Sequence, residues 1–343
     1  MPLPRLGSID AILPQHIDST MMSAFRNCPQ KFALEFLYGL RPPGLSIDLH
    51  AGACFASALE EVYKQIHVAK RPLTDALTFA HARFMTEWGD FQIPDWKKTP
   101  KTKDRVWAAL VGGGDDENMG YLEAYPPLTD EVQPFFDSNG KPTLEYTFAI
   151  PLEPAIDPHT PYDNPHTFPL HPNGSPFVYS GRFDMLGIRH GRPVVRDEKT
   201  GQSMGREWAE KWDLRSQFIG YTWACRECGI DLDTVVVRGI GILKEKFHQL
   251  EAVKTYSDFM RFRWLEQLRR DLWRLRRSWD EGYFDFNLGD ACTQYGLCMF
   301  RDMCQSADPT PWASTYEVRR WNPLNKNPIA GAQSTEAMAQ TAY

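Results

Sequence analysis

The sequence predicts a mixed α/β fold in which helices flank a central sheet. Apolar and β-branched residues run from Phe177 to Ile188 and resume at Val194 and Val195, a pattern typical of two strands. The segment 190–193 between them has the composition of a turn, so the two strands form a hairpin. With 42% hydrophobic residues in 343, the chain can also bury a sizeable core, as one large domain or two small ones.

The other elements follow in chain order. Helices are expected near residues 19–38, 50–69, 73–88, 103–124, 207–228 and 256–279. Strands besides the hairpin are expected at 143–152 and 235–243. The stretch 153–176 is rich in Pro, His and Asn, which indicates a loop or insertion.

Composition also sets the expected domain boundaries. Residues 1–18 form an N-terminal segment, 19–305 form one domain, and 306–343 form a tail. The tail is expected to be flexible because it is proline-rich at first and Ala/Gln/Thr-rich later. Three aromatic residues offer a way to dock its first part: Trp312, Tyr316 and Trp321.

Two acids and a lysine are the most informative residues of the hairpin. Asp184 lies in its first strand, and Asp197 follows Val194 and Val195 in its second, with Lys199 two residues further on. A hairpin can bring the two carboxylates together, and period-two alternation puts Lys199 on the face of Asp197. Two acids hold a hard cation such as Mg²⁺ through oxygen. A lysine beside them can orient or deprotonate a water, so the set predicts metal-assisted phosphodiester hydrolysis.

An ordinary surface hairpin is the alternative, because acids and lysines are common on solvated strand faces. The context favours a site. The valine pair runs directly into Asp197, and a Lys-Thr-Gly turn follows. A helix-like segment then carries Gln217 and Tyr221, which lie four residues apart and therefore on one helical face. These pieces in this order favour the site over the surface hairpin.

The order Gly-Arg-Phe-Asp184, Asp197-x-Lys199-Thr-Gly, Gln217-x-x-x-Tyr221 resembles the PD-(D/E)XK nuclease superfamily. It is most similar to the RecB-like branch, which includes the RecB and AddB nuclease domains and CRISPR-associated exonucleases. The resemblance implies a restriction-endonuclease-like core in which Asp184 and Asp197 bind Mg²⁺ or Mn²⁺ and Lys199 is catalytic. It also implies that Gln217 and Tyr221 support the site or contact DNA.

The first part of the chain extends the resemblance, which covers about residues 19–304. Residues 28–32 resemble the family's Cys-Pro-x-Lys-Phe element, and Gly52 to Glu60 resemble its Gly-x-x-x-His-x-x-x-Glu helix. Ala56 stands where the family usually has a metal-binding histidine, whereas Glu60 is retained. The resemblance therefore implies a metal site formed by Asp184, Asp197 and Glu60.

Cysteines form a second pattern. Three of the seven fall in one short run, Cys292, Cys298 and Cys304. Clustered thiolates bind soft metals, either as an iron–sulfur cluster or as zinc, and Cys28 is the candidate fourth ligand. One early and three late cysteines are also the layout of the iron–sulfur nucleases of the RecB-like branch. We therefore expect a 4Fe–4S cluster, with Zn²⁺ as the alternative, that joins the two ends of the domain.

Buried free cysteines that only fill core space are the alternative for this group. A loop rich in Gly, Tyr and Asp does not have the pattern of a core, which favours a cluster. The Cys225-x-x-Cys228 pair is different, because no partner pair lies nearby in the sequence. We expect one of the two to face the core and Cys54 to pack on its helix.

Bulk charge gives no sign of nucleic-acid binding, because the net charge is −6 and the isoelectric point is near 5.9. Two local segments are basic: residues 96–105 and the helix expected at 256–279. The arginines of that helix either contact phosphates or lie on a solvated face, and its tryptophans are expected in the core. No apolar run is long enough to span a membrane and no signal-peptide pattern is present, so a cytoplasmic protein of a bacterium or phage-infected cell is expected.

These patterns together predict a metal-dependent DNA nuclease. By resemblance, the expected activity is that of an exonuclease on single strands or DNA ends in recombination, repair or phage DNA processing, with a possible recombination or helicase partner. An endonuclease or repair nuclease of the same fold is one alternative. A non-catalytic DNA-binding or scaffold protein is the other, and the histidine missing at Ala56 keeps it open.

Overall fold

A computed structural model describes residues 5–95, 97–113, 118–153, 167–202, 204–205, 207–293 and 297–325. Most of the loop expected at 153–176 lies outside these ranges, as do Trp96 of the basic segment and the end of the tail, 326–343. In the described ranges, no helix is long and apolar enough to cross a bilayer.

The helices of the described residues are α1 (Ser19–Asn27), α2 (Pro29–Phe32), α3 (Ile47–His67), α4 (Leu73–Trp88), α5 (Lys103–Val111), α6 (Tyr121–Ala124), α7 (Ser216–Glu227), α8 (Asp258–Glu281), α9 (Arg301–Gln305) and α10 (Thr310–Ala313). A π-helical turn, Ala33–Leu37, continues α2. The strands are β1 (His16–Ile17), β2 (Leu40–Arg41), β3 (Val132–Pro134), β4 (Leu144–Pro151), β5 (Val178–Arg189), β6 (Arg192–Gly201), β7 (Thr234–Ile242), β8 (Phe247–Thr255) and β9 (Glu317–Val318).

The chain divides into two compact units, and each unit draws on separate stretches of sequence. The first unit contains Met1–Gly44, Thr147–Arg182 and Asp258–Tyr343, and the second contains Leu45–Tyr146 and Phe183–Ser257. The division falls inside β4 and β5. All the acids and the lysine of the predicted site belong to the second unit, whereas the four candidate cluster cysteines belong to the first.

The second unit is built on a mixed sheet with the strand order β5-β6-β7-β8. The hairpin of β5 and β6 is antiparallel, with Leu186 opposite Val195. Strand β7 then runs parallel to β6, with Gly239 opposite Lys199, and β8 closes the order as an antiparallel strand. A parallel pair needs a crossover connection, and α7 lies in that connection.

Helices α3, α4 and α5 cover this sheet through a shared apolar core. Phe55 and Val62 of α3 and Phe84 of α4 belong to the same buried cluster as Val236 and Ile240 of β7. Each of these side chains is at most 1% exposed, and burying a side chain of this kind contributes about 1.5–3 kcal/mol. The predicted mixed α/β fold with a central sheet flanked by helices is therefore confirmed.

In the first unit, one proline interrupts the helix expected at 19–38. Helix α1 ends at Asn27, and Cys28 is extended, with φ −158° and ψ 109°. Pro29 explains the break, because the ring of a proline excludes the helical conformation from the residue before it. Two bonds tie this break to the stretch after α8: Gln30 N–H donates to the Asp285 carbonyl at 3.0 Å, and Asn287 Nδ2 donates to the Asn27 carbonyl at 2.6 Å.

The late part of the chain also packs within the first unit. Phe300 and Met303 share a buried cluster with Leu34 and Leu40. Strand β9 pairs with β2, with Leu40 opposite Val318. The indole N–H of Trp321 donates to Asp18 Oδ2 at 2.9 Å, so described residues of the segment 306–325 make specific contacts.

Two other elements differ from the sequence-based expectation. The helix expected at 103–124 ends at Val111, where Gly112 adopts a φ of 99°, and a Cβ at Gly112 would overlap the Glu123 carboxylate. The helix expected at 207–228 begins only at Ser216. Strand β8 had no prediction, because its alternation of apolar and polar residues is interrupted.

Candidate active site

The hairpin brings the two acids of the sequence motif together. Met185 lies opposite Arg196, so Asp184 and Asp197 are the next residues beyond that pair. Asp184 Oδ2 accepts a hydrogen bond of 2.6 Å from the backbone N–H of Glu198. This bond fixes the Asp184 carboxylate against the strand that carries Asp197 and Lys199.

Lys199 forms an ion pair with Asp197. Asp197 is only 2% exposed, whereas about a third of the Lys199 side chain, 32%, remains exposed. The ammonium lies 5.7 Å from the centre of the ring of Phe218, a residue of α7. The ion pair and the ring thus hold the lysine from two sides.

Crowding of negative charge dominates the electrostatics of this site. Burial, and then the charges of Asp197, Glu198 and Glu145, raise the pKa of Asp184 well above its ordinary range. Burial also raises the pKa of Asp197, although Lys199 opposes that shift. A bound cation would relieve this repulsion, because it favours the ionised form of both acids.

The pKa of Lys199 is raised as well, which favours the charged form of this side chain. Burial alone would lower its pKa, but the nearby Asp197 and Asp184 carboxylates outweigh burial and raise the pKa of Lys199. The side chain is therefore a protonated ammonium in this arrangement. In that form it can donate hydrogen bonds to a phosphate oxygen and neutralise its charge.

A small cleft of about 20 Å³ lies beside Asp184. Asp184, Glu60, Glu145 and Glu198 line it together, and Ala56 of α3 forms part of its wall. Glu60 forms an ion pair of 2.6 Å with Lys64, one helical turn further along α3. The structure therefore places Glu60 in the same cleft as Asp184, with the small side chain of Ala56 in its wall.

Glu145 was not anticipated from the sequence. It lies near the start of β4 and adopts a φ of 51°, in the left-handed region. A residue other than glycine rarely adopts this conformation, which costs about 1–2 kcal/mol. Its neighbour Tyr146 stacks on Phe183 with ring centres 5.1 Å apart, so the strained residue is fixed directly beside the strand position of Asp184.

Glu198 is held by a buried network of ions. It pairs with Arg196 at 2.6 Å and accepts a hydrogen bond from the Tyr121 hydroxyl at 2.7 Å. Burial would raise its pKa, but Arg196 and these hydrogen bonds hold the pKa of Glu198 below its ordinary value. Glu198 therefore remains ionised, and its backbone N–H is fixed where Asp184 needs a donor.

The network continues through Arg238, which is 1% exposed. Its two terminal nitrogens donate to the two oxygens of Asp130 at 2.6 and 2.7 Å. Asp130 also lies 3.6 Å from Arg196. A set of buried charges that neutralise one another thus links β6 and β7 of the sheet to Asp130.

Gln217 and Tyr221 face each other on α7, as their spacing predicts. Gln217 Nε2 donates to the Tyr221 hydroxyl at 2.7 Å. The Tyr221 ring lies 5.3 Å from the ring of Phe183, the residue before Asp184. The structure therefore places this pair behind the strand of Asp184, where it packs against the residue that precedes the acid.

Arg215 is a second residue that sequence reasoning missed. It is exposed at the start of α7 and lies close enough to influence Asp197 and Lys199 electrostatically. For both Arg215 and Glu145, the sequence held no local signal, because each reaches the site through the packing of a separate element. Glu198 was not anticipated either, and it lines the same cleft as Asp184.

The donor set fits a hard divalent cation. Carboxylate oxygens are the ligands that Mg²⁺ and Mn²⁺ prefer, and Asp184, Glu60 and Glu145 supply them around one cleft. Within the described ranges, no three His, Cys, Asp or Glu side chains are already arranged to hold an ion. The carboxylates would therefore have to converge by side-chain rotation when a cation binds.

The four candidate cluster cysteines all belong to the first unit. Cys304 lies within electrostatic range of Cys28, Cys292 and Cys298, and partial burial followed by these three thiols raises the pKa of Cys304 to about 11. All seven cysteines are free thiols. Thiolates are ligands for a soft metal such as iron or zinc, but among the described residues these cysteines, like the carboxylates, are not already arranged to hold an ion.

The other cysteines lie in the second unit and have local contacts. Cys54 and Cys225 are buried, and burial raises the pKa of both thiols. Cys228 ends α7 and is a hydrogen-bond partner of Tyr146. None of these three is among the thiols that influence Cys304.

The central hairpin of the mixed sheet carries two facing acids and a lysine. The chain belongs to the PD-(D/E)XK nuclease superfamily, whose family model matches residues 19–305. This result confirms the family expected from the motif order.

Comparison with other proteins adds two remote structural likenesses. A protein from Eubacterium rectale, described as a candidate exonuclease, is 12% identical and covers 85% of this chain and 93% of its own, with a TM-score of 0.45. The protein SSO0001 is 14% identical and covers 47% of this chain and 59% of its own, with a TM-score of 0.26. No curated protein is detectably similar to the chain.

Proposed function

We propose that the protein is a divalent-metal-dependent deoxyribonuclease of the RecB-like branch that acts as an exonuclease on single-stranded DNA or DNA ends. The observation that carries this proposal is the convergence of Asp184, Asp197 and Lys199 at one position of the hairpin. Membership of the nuclease superfamily supports phosphodiester hydrolysis. Recombination, repair or phage DNA processing is the proposed setting, with a recombination or helicase protein as the proposed partner.

The acids and the lysine have different proposed roles in hydrolysis. Asp184, Asp197 and Glu60 are the proposed ligands of Mg²⁺ or Mn²⁺, and Glu145 is positioned to join them. A bound cation supplies an activated water and stabilises charge that develops on the phosphate. Lys199, as an ammonium, binds a non-bridging phosphate oxygen and orients the water, while Gln217 and Tyr221 support Asp184 through Phe183.

A metal cluster in the first unit is part of the proposal. Cys28, Cys292, Cys298 and Cys304 would hold a 4Fe–4S cluster, with Zn²⁺ as the alternative. One support is that Cys28, Cys292 and Cys298 lie close enough to influence Cys304 electrostatically. The other is the pair of hydrogen bonds that tie the helix break at Cys28 to the stretch after α8. Such a cluster would covalently join the early and late stretches of this unit.

The test is cleavage of end-labelled single- and double-stranded DNA with Mg²⁺, with Mn²⁺ and with chelator. We expect metal-dependent release of short products, preferentially from single strands or ends. Asp184→Asn and Asp197→Asn should abolish cleavage, and Lys199→Ala should reduce turnover while leaving metal affinity largely unchanged. Asp231→Asn, at an exposed position, is the control and should cleave like the native chain.

A non-catalytic DNA-binding or scaffold protein remains the competing function. The specific observation that favours it is Ala56 in the wall of the cleft, where the side chain offers no metal ligand. DNA binding without cleavage under any of the metal conditions would support that alternative and contradict the nuclease.

A further inference from the structure

A second groove lies next to the catalytic cleft in the second unit. It has a volume of about 360 Å³, and its lining comes from the late part of α3 and from the segment that leads into β4. Leu144 lines both the groove and the cleft. On α3, Glu60 lines the cleft while its neighbour Glu61 lines the groove, so the two spaces adjoin along one helix.

Two lysines outnumber the one glutamate, Glu61, in the lining of the groove. Lys141 is exposed on one wall. Lys64 is on the other wall, and its ion pair of 2.6 Å with Glu60 holds it at the junction between groove and cleft. An ammonium has three donors, so Lys64 can keep this pair and still donate to a phosphate.

The rest of the lining suits a nucleoside. Val68, Ala69 and Pro142 present an apolar surface, and Val68 is 52% exposed. Gln65 donates to Glu61 at 2.6 Å, while its Oε1 is buried without a hydrogen-bond partner among the described residues. A turn of this side chain toward the groove would let the unsatisfied oxygen accept from a base N–H group.

We propose that this groove binds the nucleotide next to the scissile phosphate of a single-stranded polynucleotide. The proposal rests on the proposed nuclease function and adds a substrate subsite to it. Lys64 and Lys141 contact the phosphates on either side of that nucleotide. The apolar wall packs against its sugar and base, and Gln65 Oε1 accepts a hydrogen bond from the edge of the base.

The test measures binding separately from chemistry. Fluorescence anisotropy with a short labelled DNA oligonucleotide in chelator reports strand binding, because no cleavage then occurs. Lys141→Glu should weaken binding of the single strand about tenfold, and Lys141→Ala should reduce the salt dependence by about 0.7, the value for one phosphate contact. Gln65→Leu should weaken binding without changing that slope. Arg192→Glu, in the exposed hairpin turn, reverses the same charge and should bind normally.

Hydrolysis of bis(p-nitrophenyl) phosphate with Mn²⁺ provides the second readout. This small diester has no neighbouring phosphate for Lys141 to contact, so Lys141→Glu should reduce cleavage of the strand by a larger factor than hydrolysis of the diester. If the native chain does not hydrolyse the diester, the proposed function is contradicted. The binding measurements would still test the proposed subsite in that case. Native strand affinity in both Lys141 variants, or an affinity for duplex equal to that for a single strand, would overturn the subsite.

Discussion

Buried charges have the largest energetic consequences at the residue scale. Asp130 accepts two hydrogen bonds from Arg238 and lies close to Arg196, and both arginines are at most 2% exposed. Removing one member of such a set leaves the others buried and unpaired, which costs more than the loss of the contact itself. The acids of the site depend on this set, because Arg196 also holds Glu198.

Asp130→Ala should therefore destabilise the second unit by about 3–5 kcal/mol. Urea unfolding followed by circular dichroism measures the change in the free energy of unfolding. Asp231→Ala is the matched control, because its ion pair with Arg226 involves a side chain that is 93% exposed. The control should lose about 1 kcal/mol or less, and an equal effect of the two variants would show that the network is not energetically coupled.

Glu145 combines strain with a position in the cleft. Glu145→Gly removes both the carboxylate and the cost of a left-handed side-chain residue, so we expect stability to be unchanged or raised by up to about 1 kcal/mol. Affinity for Mn²⁺, measured by calorimetry, should fall about tenfold. Glu245→Gly, at an exposed turn position, should leave the affinity unchanged. A variant that loses stability and keeps its metal affinity would make Glu145 a structural residue.

At the scale of elements, the start of α1 contains a titratable cap. Asp18 accepts from the Met21 N–H and from the Trp321 indole, and it is 8% exposed. Burial raises its pKa to about 6 from 3.8, although these hydrogen bonds oppose the shift. The folded state therefore binds a proton more tightly than the unfolded state, and the stability from this proton is lost as the pH rises through about 6.

The melting temperature should accordingly contain a component that falls between pH 4 and pH 6 and is absent from Asp18→Asn. The integrated difference is at most about 3 kcal/mol. The asparagine retains one acceptor but loses the other, which shifts stability by an amount that does not depend on pH. If the melting temperatures of the two proteins change in parallel across this pH interval, the prediction is contradicted.

For the whole molecule, the cysteines give the clearest prediction. Protein purified without oxygen should be brown, with absorption near 400 nm and about four irons per chain. Serine at any one of Cys28, Cys292, Cys298 or Cys304 should remove the colour and destabilise the first unit. Cys225→Ser and Cys228→Ser are the controls and should keep the cluster. Colourless protein with one zinc per chain would replace the cluster by zinc, and metal-free protein with four reactive thiols would exclude both.

The sequence revealed the parts of this molecule that depend on local patterns. The hairpin of β5 and β6 was visible because its apolar runs and its turn are continuous in sequence, and the spacing of Gln217 and Tyr221 was visible because one helix carries both. Strand β8 was missed because its burial depends on pairing with β7, and its own residues alternate only in part.

The burial of charged side chains also could not be predicted from the sequence. Arginine is usually exposed, so nothing local indicates that Arg196 and Arg238 lie in the interior. Their partners come from a distant loop residue, Asp130, and from Tyr121. The same reason applies to Glu145 and to the groove beside the cleft, because each results from the packing of elements that are separate in the chain.

The division of the chain bears on its synthesis. A ribosome produces the first 44 residues before any of the second unit, yet their packing partners in Phe300 and Met303 are made long afterwards. The sheet and its acids, complete by Ser257, can fold while the remaining chain is still being translated. During translation, Leu34 and Leu40 lack their late partners and remain exposed. We therefore expect the early segment to be the part of the nascent chain that benefits from a chaperone or rapid elongation.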